Sequence, residues 1–209
     1  MIYQEPTVYN TRTVYDKAGG GNKNSIELGG ITYKLVQIGN LLWIDKNLNW
    51  CPPGINFNPV NFVDGNANAA YFQKAAQEVF TDAGMLYNIA AVNIIDNLIQ
   101  SIYPGFRVPS NDDLWNMVNS LGGLNEAGEH LKTVDYGGDN SAKFNGLLSG
   151  WIDSNGNSAR LNEWGPYWST TERDTDRNED IYINSYGAAI GYGAQYKRCG
   201  LAIRLCKDA

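Results

Sequence analysis

The chain has 209 residues, which is enough for one domain with a sizeable core and an additional arm. Its formal net charge of -6 argues against binding to a nucleic-acid backbone, because that binding depends on clustered lysine and arginine. It contains no apolar run of about 18 residues, so we expect no membrane-spanning helix and no membrane insertion. The 13 tyrosines and 23 glycines favour a loop-rich fold with β-strands over a helical bundle.

Residues 1–22 differ in composition from the rest of the chain. Tyrosine and valine are interleaved with polar residues, and a glycine-rich run follows at 19–22. This pattern predicts an extended N-terminal arm with a flexible joint over residues 1–22, followed by one domain over residues 23–209. We expect the arm to dock on a partner or a second copy of the chain; a disordered tail is the alternative. No basic segment followed by an apolar one is present at the N-terminus, so no signal peptide is visible.

Three apolar runs separated by turn residues follow the joint. Gly29-Gly30 and Gly39-Asn40 are hairpin signals, and they separate an apolar run before residue 29, a second over 31–38 and a third over 41–44. We therefore predict a β-meander with Trp43 in the core. Residues 51–66 are rich in proline, glycine and asparagine, which predicts an irregular loop.

Helices are predicted in the middle of the chain. Residues 67–80 have high helix propensity. Over residues 85–101, apolar residues recur at steps of three and four, which is typical of a helix with one buried face. A further helix is predicted after Ser110, which is a good N-cap with Asp113 placed to complete a capping box.

The end of the chain is predicted to return to the first strands. Leu201, Ile203 and Leu205 alternate with Ala202 and Arg204, the period-2 pattern of a strand with at least one buried face. We expect this strand to pair with the N-terminal hairpin and to bring the two ends of the domain together.

The segment before this strand alternates in the same way. If Ile181 and Ile183 point into a core, Tyr182, Asn184 and Tyr186 point together toward solvent. Exposed tyrosine gives a large contact area with few rotatable bonds, and asparagine, serine and glycine add adaptable hydrogen bonds, as in antibody paratopes. The alternative is an ordinary edge hairpin whose tyrosines pack on their neighbours.

The candidate ligand-binding residues share one polar, tyrosine-rich stretch. They are Glu172, Arg173, Asp174, Asp176, Arg177, Asn178, Tyr182, Asn184, Tyr186, Tyr192, Gln195 and Tyr196.

Little in the sequence points to catalysis. The one histidine, His130, lies in a polar stretch, and nothing nearby in the sequence would orient it as a base. One histidine and three scattered cysteines provide no zinc pattern. Cys199 and Cys206 would point to opposite faces of a strand, so we interpret them as structural thiols. We expect no catalytic residue, no metal and no cofactor, with a calcium ion at the acidic run 174–180 as the alternative.

Several stretches, taken together and in order, resemble a known family. They are VQIGNLLW at 36–43 with KNL at 46–48, GMLYN at 84–88, PGFRVPS at 104–110 with Asp113 and Trp115, FNG at 144–146, YWSTTE at 167–172 and the segment 198–204. Together they look like the Fibrobacter succinogenes major paralogous domain, a bacterial and phage family of the C-type-lectin-like and sulfatase-modifying-factor-like fold. The resemblance covers about residues 26–208.

The resemblance implies an α+β, C-type-lectin-like fold with short twisted antiparallel strands, two to three helices and extensive ordered loops. Formylglycine-generating enzymes of this fold use a cysteine pair near the C-terminus, but Cys199 and Cys206 lack the spacing of a same-face pair. The calcium-binding motifs of sugar-binding C-type lectins are absent. Variable proteins of diversity-generating retroelements, many from phages of gut bacteria, diversify a C-terminal region after a YWSST-like motif, and residues 167–204 have that position and composition.

On this interpretation the protein binds a ligand without catalysis. The expected partner is a protein or glycan receptor on a cell surface, and we expect display as a homo-oligomer, such as a trimer, formed through the arm. The expected location is a phage tail or the cytoplasm, or the cell surface if a leader has been removed. A formylglycine-generating type of oxidoreductase and a structural surface or fimbrial module are the alternatives.

Overall fold

The first sheet consists of three strands connected by two glycine turns, together with the last residues of the chain. The computed structural model describes residues 24–57, 70–72 and 83–209. Strands β1 (Ser25–Leu28), β2 (Ile31–Ile38) and β3 (Leu41–Ile44) form the predicted meander, and Trp43 is buried as predicted. Gly29 and Gly30 both have positive φ, as a two-residue hairpin turn requires. The predicted arm over residues 1–22 lies outside the described residues.

The C-terminal segment joins this sheet, but later than predicted. The sheet order is β1-β2-β3-β12, and only Cys206–Asp208 forms the regular strand β12. The preceding residues make isolated contacts: Leu201 bridges to Tyr87, and the carbonyls of Ile203 and Leu205 accept main-chain hydrogen bonds from Leu48 and Ile44. The whole run 199–206 is buried on both faces, because layers pack on either side of it.

The first described helix is shorter than predicted at its N-terminal end. Helix α1 (Ile89–Ile102) begins after Asn88, whose side chain accepts a hydrogen bond from the main-chain N–H of Ala91 at 3.0 Å. Residues 86–87 form strand β6 (Leu86–Tyr87) instead of a first helical turn. The predicted apolar stripe is confirmed, since Val92, Ile95 and Ile99 are buried.

The helix predicted over residues 67–80 is wrong in its described part. Strand β5 (Ala70–Phe72) lies between β4 (Asn56–Phe57) and β6, with a parallel pairing to β4 and an antiparallel pairing to β6. Pairing with strands distant in sequence here overrides the local helix propensity. Positions 67–69 and 73–80 lie outside the described residues, and so do positions 58–66 of the predicted loop over residues 51–66.

The capping box at Ser110 is confirmed. Helix α2 (Asn111–Ser120) begins there: the Ser110 hydroxyl accepts from the N–H of Asp113, and the Asp113 carboxylate accepts from the N–H of Ser110 at 2.9 Å. A short helix α3 (Ala127–Leu131) and a 3-10 turn (Val134–Tyr136) follow.

The second large sheet contains most of the candidate residues. After the small hairpin of β7 (Trp151–Ile152) and β8 (Ser158–Ala159), strands β9 (Trp164–Glu172), β10 (Arg177–Asn184) and β11 (Gly191–Tyr196) form an antiparallel sheet in the order β11-β10-β9. The described residues thus form a mixed helix and strand structure with mainly antiparallel sheets. None of the described helices is long and apolar enough to cross a membrane.

Candidate ligand-binding surface

Arg204 lies in the interior, where several stretches of the resemblance meet. Its side chain is buried, with Nε donating to Asn47 Oδ1 at 2.9 Å and Nη1 donating to the carbonyls of Ile44 at 3.0 Å and Phe144 at 2.6 Å. Nη2 donates to the carbonyl of Asn145 at 3.2 Å, and the guanidinium carbon lies 3.9 Å from the centre of the Phe144 ring. One buried cation therefore holds three separate chain segments together.

Other residues of the same stretches also form interior contacts. The hydroxyl of Tyr87 accepts from the N–H of Trp50 at 3.0 Å and donates to the Trp50 carbonyl at 2.9 Å. The indole of Trp168 donates to the Tyr87 carbonyl at 2.6 Å. Arg107 makes a bidentate pair with Asp113 at 2.7 and 3.0 Å. These stretches build a scaffold, and the candidate binding residues lie on the sheet that it supports.

The predicted alternation along β10 is confirmed. Ile181 and Ile183 are buried in the core shared with α2 and α3, whereas Tyr182 and Asn184 are half-buried on the opposite face. Tyr186, just beyond the strand, is 71% exposed.

Tyr192 and Tyr196 lie on the other face of the sheet. Directly opposed residues of an antiparallel pair share a face. Tyr192 is opposite Ile181, whereas Tyr182 is opposite Gly191. The candidate residues are therefore divided between two patches.

The ladder patch comprises Arg160, Glu163, Trp164, Tyr182 and Tyr186. The rings of Trp164 and Tyr182 are stacked at 4.3 Å with an interplanar angle of 9°, and the Arg160 guanidinium lies 5.3 Å from the Trp164 ring centre. Glu163 Oε2 accepts from Arg160 at 2.8 Å and from the Tyr186 hydroxyl at 2.9 Å. Arg160, Glu163 and Trp164 were not predicted from the sequence, because their role depends on the β9–β10 register.

The edge patch comprises Trp115, Tyr192, Tyr196 and Arg198. Tyr192 is 59% exposed and meets Trp115 of α2 edge to face at 5.5 Å. Tyr196 is 45% exposed, and the Arg198 guanidinium lies 4.8 Å from its ring centre. This patch presents two exposed rings whose orientation is restrained by a neighbouring side chain.

Asn178, which was predicted as a ligand contact, does not belong to the exposed surface. It is buried, and its amide donates to the Ser169 carbonyl at 3.2 Å. The pairing register of β10 with β9 shifts between Asn178 and Asp180, with the extra residues in β9. Asp180 is buried beside Asn178, and among the described residues the Oδ1 atoms of both side chains have no hydrogen-bond partner. Burial raises the pKa of Asp180 to about 7.

The charged candidates at the β9–β10 turn are paired with one another or with near neighbours. Glu172 pairs with Lys197 at 2.6 Å, and Arg173 pairs with Glu179 at 2.6 Å. Asp174 pairs with Arg177 at 2.7 Å, which leaves its carboxylate occupied by a cation of the protein itself. The guanidinium of Arg177 and two main-chain N–H groups lower the pKa of Asp174. Asp176 is exposed in the same turn, and Gln195 is half-buried opposite Asn178.

A buried lysine holds the loop that carries Tyr186. The ammonium of Lys132 donates to the carbonyls of Asn184 at 2.9 Å and Gly187 at 2.6 Å, and burial lowers the pKa of Lys132. The loop is also held at Ala188, whose carbonyl accepts from the N–H of Gly128 at 2.8 Å. Tyr186 is thus exposed on a fixed loop.

One protein-family model matches the residues of both the scaffold and the sheet that it supports. The model described as Fibrobacter succinogenes major domain matches residues 36–207. The chain belongs to this family. A comparison with curated proteins found no match, and a comparison with solved structures found none. The matched range of the Fibrobacter succinogenes major domain includes the Arg204 contacts and both patches, from β2 to β12.

Cys199 and Cys206 of this family member are separated in the structure. Both are buried, neither forms a disulfide, and they lie in different core clusters. Burial raises the pKa of Cys199 to about 12, and burial also raises the pKa of Cys206. Because the thiolate is the reactive form of cysteine, these surroundings suit packing and not nucleophilic chemistry.

His130 has hydrogen-bond partners that were not predicted from the sequence. Its Nδ1 lies 3.0 Å from Asp139 Oδ2 and 2.9 Å from Ser141 Oγ. Both contacts involve the same ring nitrogen. A catalytic Ser-His-Asp arrangement places the nucleophile and the acid on opposite nitrogens, so this cluster lacks that geometry. In the described residues no group of three or more metal-binding side chains occurs.

Proposed function

We propose that the protein binds a receptor, without catalysis, through the ladder and edge patches. The observation that carries the proposal is the placement of exposed apolar side chains. Of the large hydrophobic residues that are exposed in the described part of the chain, Tyr186, Tyr192 and Tyr196 lie within eleven positions of one another, and only Val134 lies elsewhere. Exposed tyrosines concentrated on a rigid support are characteristic of protein-binding surfaces.

The rigidity of the support favours binding by a preformed surface. The Tyr186 hydroxyl is fixed by Glu163, its loop is held by Lys132, and the Tyr192 ring is restrained by Trp115. A side chain that is already ordered loses less conformational entropy on binding, so more of its contact energy appears as affinity.

We further propose that the scaffold is a C-type-lectin-like fold whose C-terminal surface is diversified by a retroelement. Support comes from the resemblance and from the separation of roles: the interior contacts of Arg204 and Trp168 are distinct from the exposed positions of residues 182–196. Such a separation allows surface side chains to change without altering the core. A phage-tail protein that recognises gut bacteria is the corresponding biological role.

A comparison of the sequences of natural alleles tests whether the C-terminal surface is diversified. We expect substitutions to concentrate at exposed positions after Trp168 and to spare Asn47, Tyr87 and Arg204. Substitutions spread evenly over the chain would contradict this part of the proposal.

A cell-binding assay tests whether the ladder and edge patches bind the receptor. Fluorescently labelled protein should bind cells of a gut bacterium that carries the receptor, and flow cytometry should show about tenfold weaker binding for the double variant Tyr186→Ala with Tyr192→Ala. Val134→Ala is the control, since Val134 is as exposed as Tyr186 but lies outside both patches. Equal binding by all three proteins would refute the proposal.

A further inference from the structure

No described residue pairs with the outer edge of β11, and we infer that this open edge binds an extended peptide segment of a protein receptor by strand addition. The inference rests on the proposed function and deepens it, because it specifies how the receptor is held. Strand addition joins main-chain groups of the two partners, while alternate side chains provide selectivity.

The pairing of β10 with β11 identifies which main-chain groups point outward. Lys197 donates its N–H to the carbonyl of Asp176 at 2.8 Å, so that pair is of the hydrogen-bonded kind. Hydrogen-bonded and non-hydrogen-bonded pairs alternate in an antiparallel ladder. Tyr192, Ala194 and Tyr196 therefore turn their main-chain groups away from β10.

No described residue fills these outward positions on the strand. The N–H and C=O groups of Tyr192 and Ala194, and the N–H of Tyr196, have no main-chain partner among the described residues, whereas the Tyr196 carbonyl accepts from Cys199 at 2.8 Å. Just before the strand, an outward-pointing main-chain group does have a partner: the N–H of Ile190 donates to the Leu124 carbonyl at 2.7 Å. None of the residues of β11 is buried.

Outward main-chain groups of three other edge strands have partners among the described residues. At β1, the hydroxyl of Tyr103 accepts from the N–H of Glu27 at 3.2 Å and donates to its carbonyl at 3.1 Å. The outer edge of β9 bonds to Ala202 and Pro109, and β12 bonds to Arg107. The uncovered edge thus coincides with the exposed tyrosines of the edge patch.

The sequence of β11 carries none of the usual protections of an open edge. Natural proteins block such edges with charges, proline or bulges. The strand reads GYGAQY, which has no charge and no proline, and its pairing with β10 runs without a register shift. An edge that is accessible, regular and uncharged is suited to accept another strand.

The dimensions and charge of the edge favour a peptide over a second copy of the chain. Six residues span about 20 Å, and one strand edge of that length covers far less than the roughly 800 Å² per partner of a stable interface. Arg198 lies at the Tyr196 end, and no carboxylate among the described residues pairs with it, in contrast to Arg173, Arg177 and Lys197. The fitting peptide is therefore extended, apolar at alternate positions and acidic at the end that meets Arg198.

Recognition through main-chain groups also suits a binding surface whose side chains differ between alleles. The N–H and C=O groups of a strand keep their positions when exposed side chains are replaced. The β11 edge would supply a constant share of the affinity, and the tyrosines and their replacements would supply the selectivity.

A peptide probe tests the inference with the complete chain. The probe is a heptapeptide of alternating threonine and valine with one terminal glutamate, and its counterpart carries N-methyl groups on alternate residues. Titration followed by amide NMR should show shifts along 191–196 with the unmodified probe and at least tenfold weaker binding of the N-methylated probe. Ala194→Pro, which removes one outward N–H, should weaken binding similarly, whereas Ala194→Val should not.

Several outcomes would overturn the inference. They are failure of the unmodified probe to bind, equal binding of both probes, and slow hydrogen exchange of the Ala194 amide in the free protein, which would place another part of the chain or a second copy on the edge. Cell binding by the tyrosine variants is measured separately. Loss of cell binding in those variants together with failure of the probe would leave the proposed function standing and remove strand addition alone.

Discussion

Arg204 and Asp180 are both buried ionisable residues, but their surroundings differ. Arg204 has acceptors for its donors on two other chain segments, 44–47 and 144–145, and an aromatic ring against its plane. Asp180 has one carboxylate oxygen without a partner among the described residues. Burying a charge is costly unless hydrogen bonds compensate for its lost hydration. Arg204 is therefore expected to stabilise the fold, and Asp180 to destabilise it when ionised.

Replacement of Arg204 by methionine should strongly destabilise the protein. The substitution leaves several buried carbonyl oxygens without donors, and we expect a loss of about 3–5 kcal/mol in the free energy of unfolding. Urea denaturation followed by circular dichroism measures it. Arg198→Met, at an exposed position, is the control and should change stability little. Similar stability of both variants would contradict the scaffold role of Arg204.

Asp180 should make stability fall as pH rises. Its pKa is raised from 3.8 to about 7 in the folded protein, mainly by burial, so between these values the folded state binds more protons than the unfolded state. This destabilisation is absent below about pH 4 and complete above about pH 7. Asp180→Asn should therefore stabilise the protein at pH 8, on the order of 2 kcal/mol, and change it little near pH 4.

Thermal unfolding of Asp180→Asn at several pH values tests this expectation. Asp176→Asn, in the exposed turn, serves as the control for loss of a carboxylate. A stability difference between wild type and Asp180→Asn that does not grow with pH would show that Asp180 is not the responsible group.

At the scale of the elements, β11 contains two glycines with different surroundings. A Cβ on Gly191 would fall on the Tyr182 ring, whereas a Cβ on Gly193 would lie 3.5 Å from Asp180 Oδ1. The absence of a side chain at Gly191 thus provides the space in which Tyr182 stacks on Trp164. A feature of β11 thereby fixes an aromatic pair on β10 and β9.

Gly191→Ala should disrupt the ladder patch. We expect displacement of Tyr182 from Trp164, a destabilisation of about 1–3 kcal/mol and an altered near-UV circular dichroism spectrum. Gly193→Ala is a matched control on the same strand and face, and it should preserve the spectrum. Identical spectra for both variants would argue against the stacked arrangement.

At the scale of the whole molecule, the buried Arg204 contacts join the N-terminal sheet, the central loops and the C-terminal segment. The two patches lie on opposite faces of the β9–β10–β11 sheet, and the open edge of β11 lies where these faces meet. One receptor that wraps this edge would contact both patches. Each patch is small, so high avidity depends on several copies acting together.

Oligomeric display is the expectation at this scale. Light scattering on the full chain should give a multiple of 23.1 kDa, and removal of residues 1–22 should yield monomers with unchanged β11 probe binding and weaker cell binding. A strictly monomeric full chain would contradict the proposed role of the arm.

The sequence by itself determined the features that depend on near neighbours. The Gly29-Gly30 hairpin, the Ser110 capping box, the stripe of α1 and the alternation of Ile181 with Tyr182 are all confirmed, because each depends on residues within a few positions of one another. The stretches that resembled the Fibrobacter succinogenes major domain also predicted the family correctly.

Only the tertiary structure decided which residues share a surface. Strand pairing made residues 70–72 a strand and not the predicted helix, packing beside Ser169 buried Asn178, and the β10–β11 register placed Tyr192 on the opposite face from Tyr182. Arg204 has the sequence pattern of an ordinary strand residue, and only the fold brings its acceptors together from two distant segments. Which strands pair, and in which register, depends on contacts between residues far apart in the chain, and local patterns carry no information about those contacts.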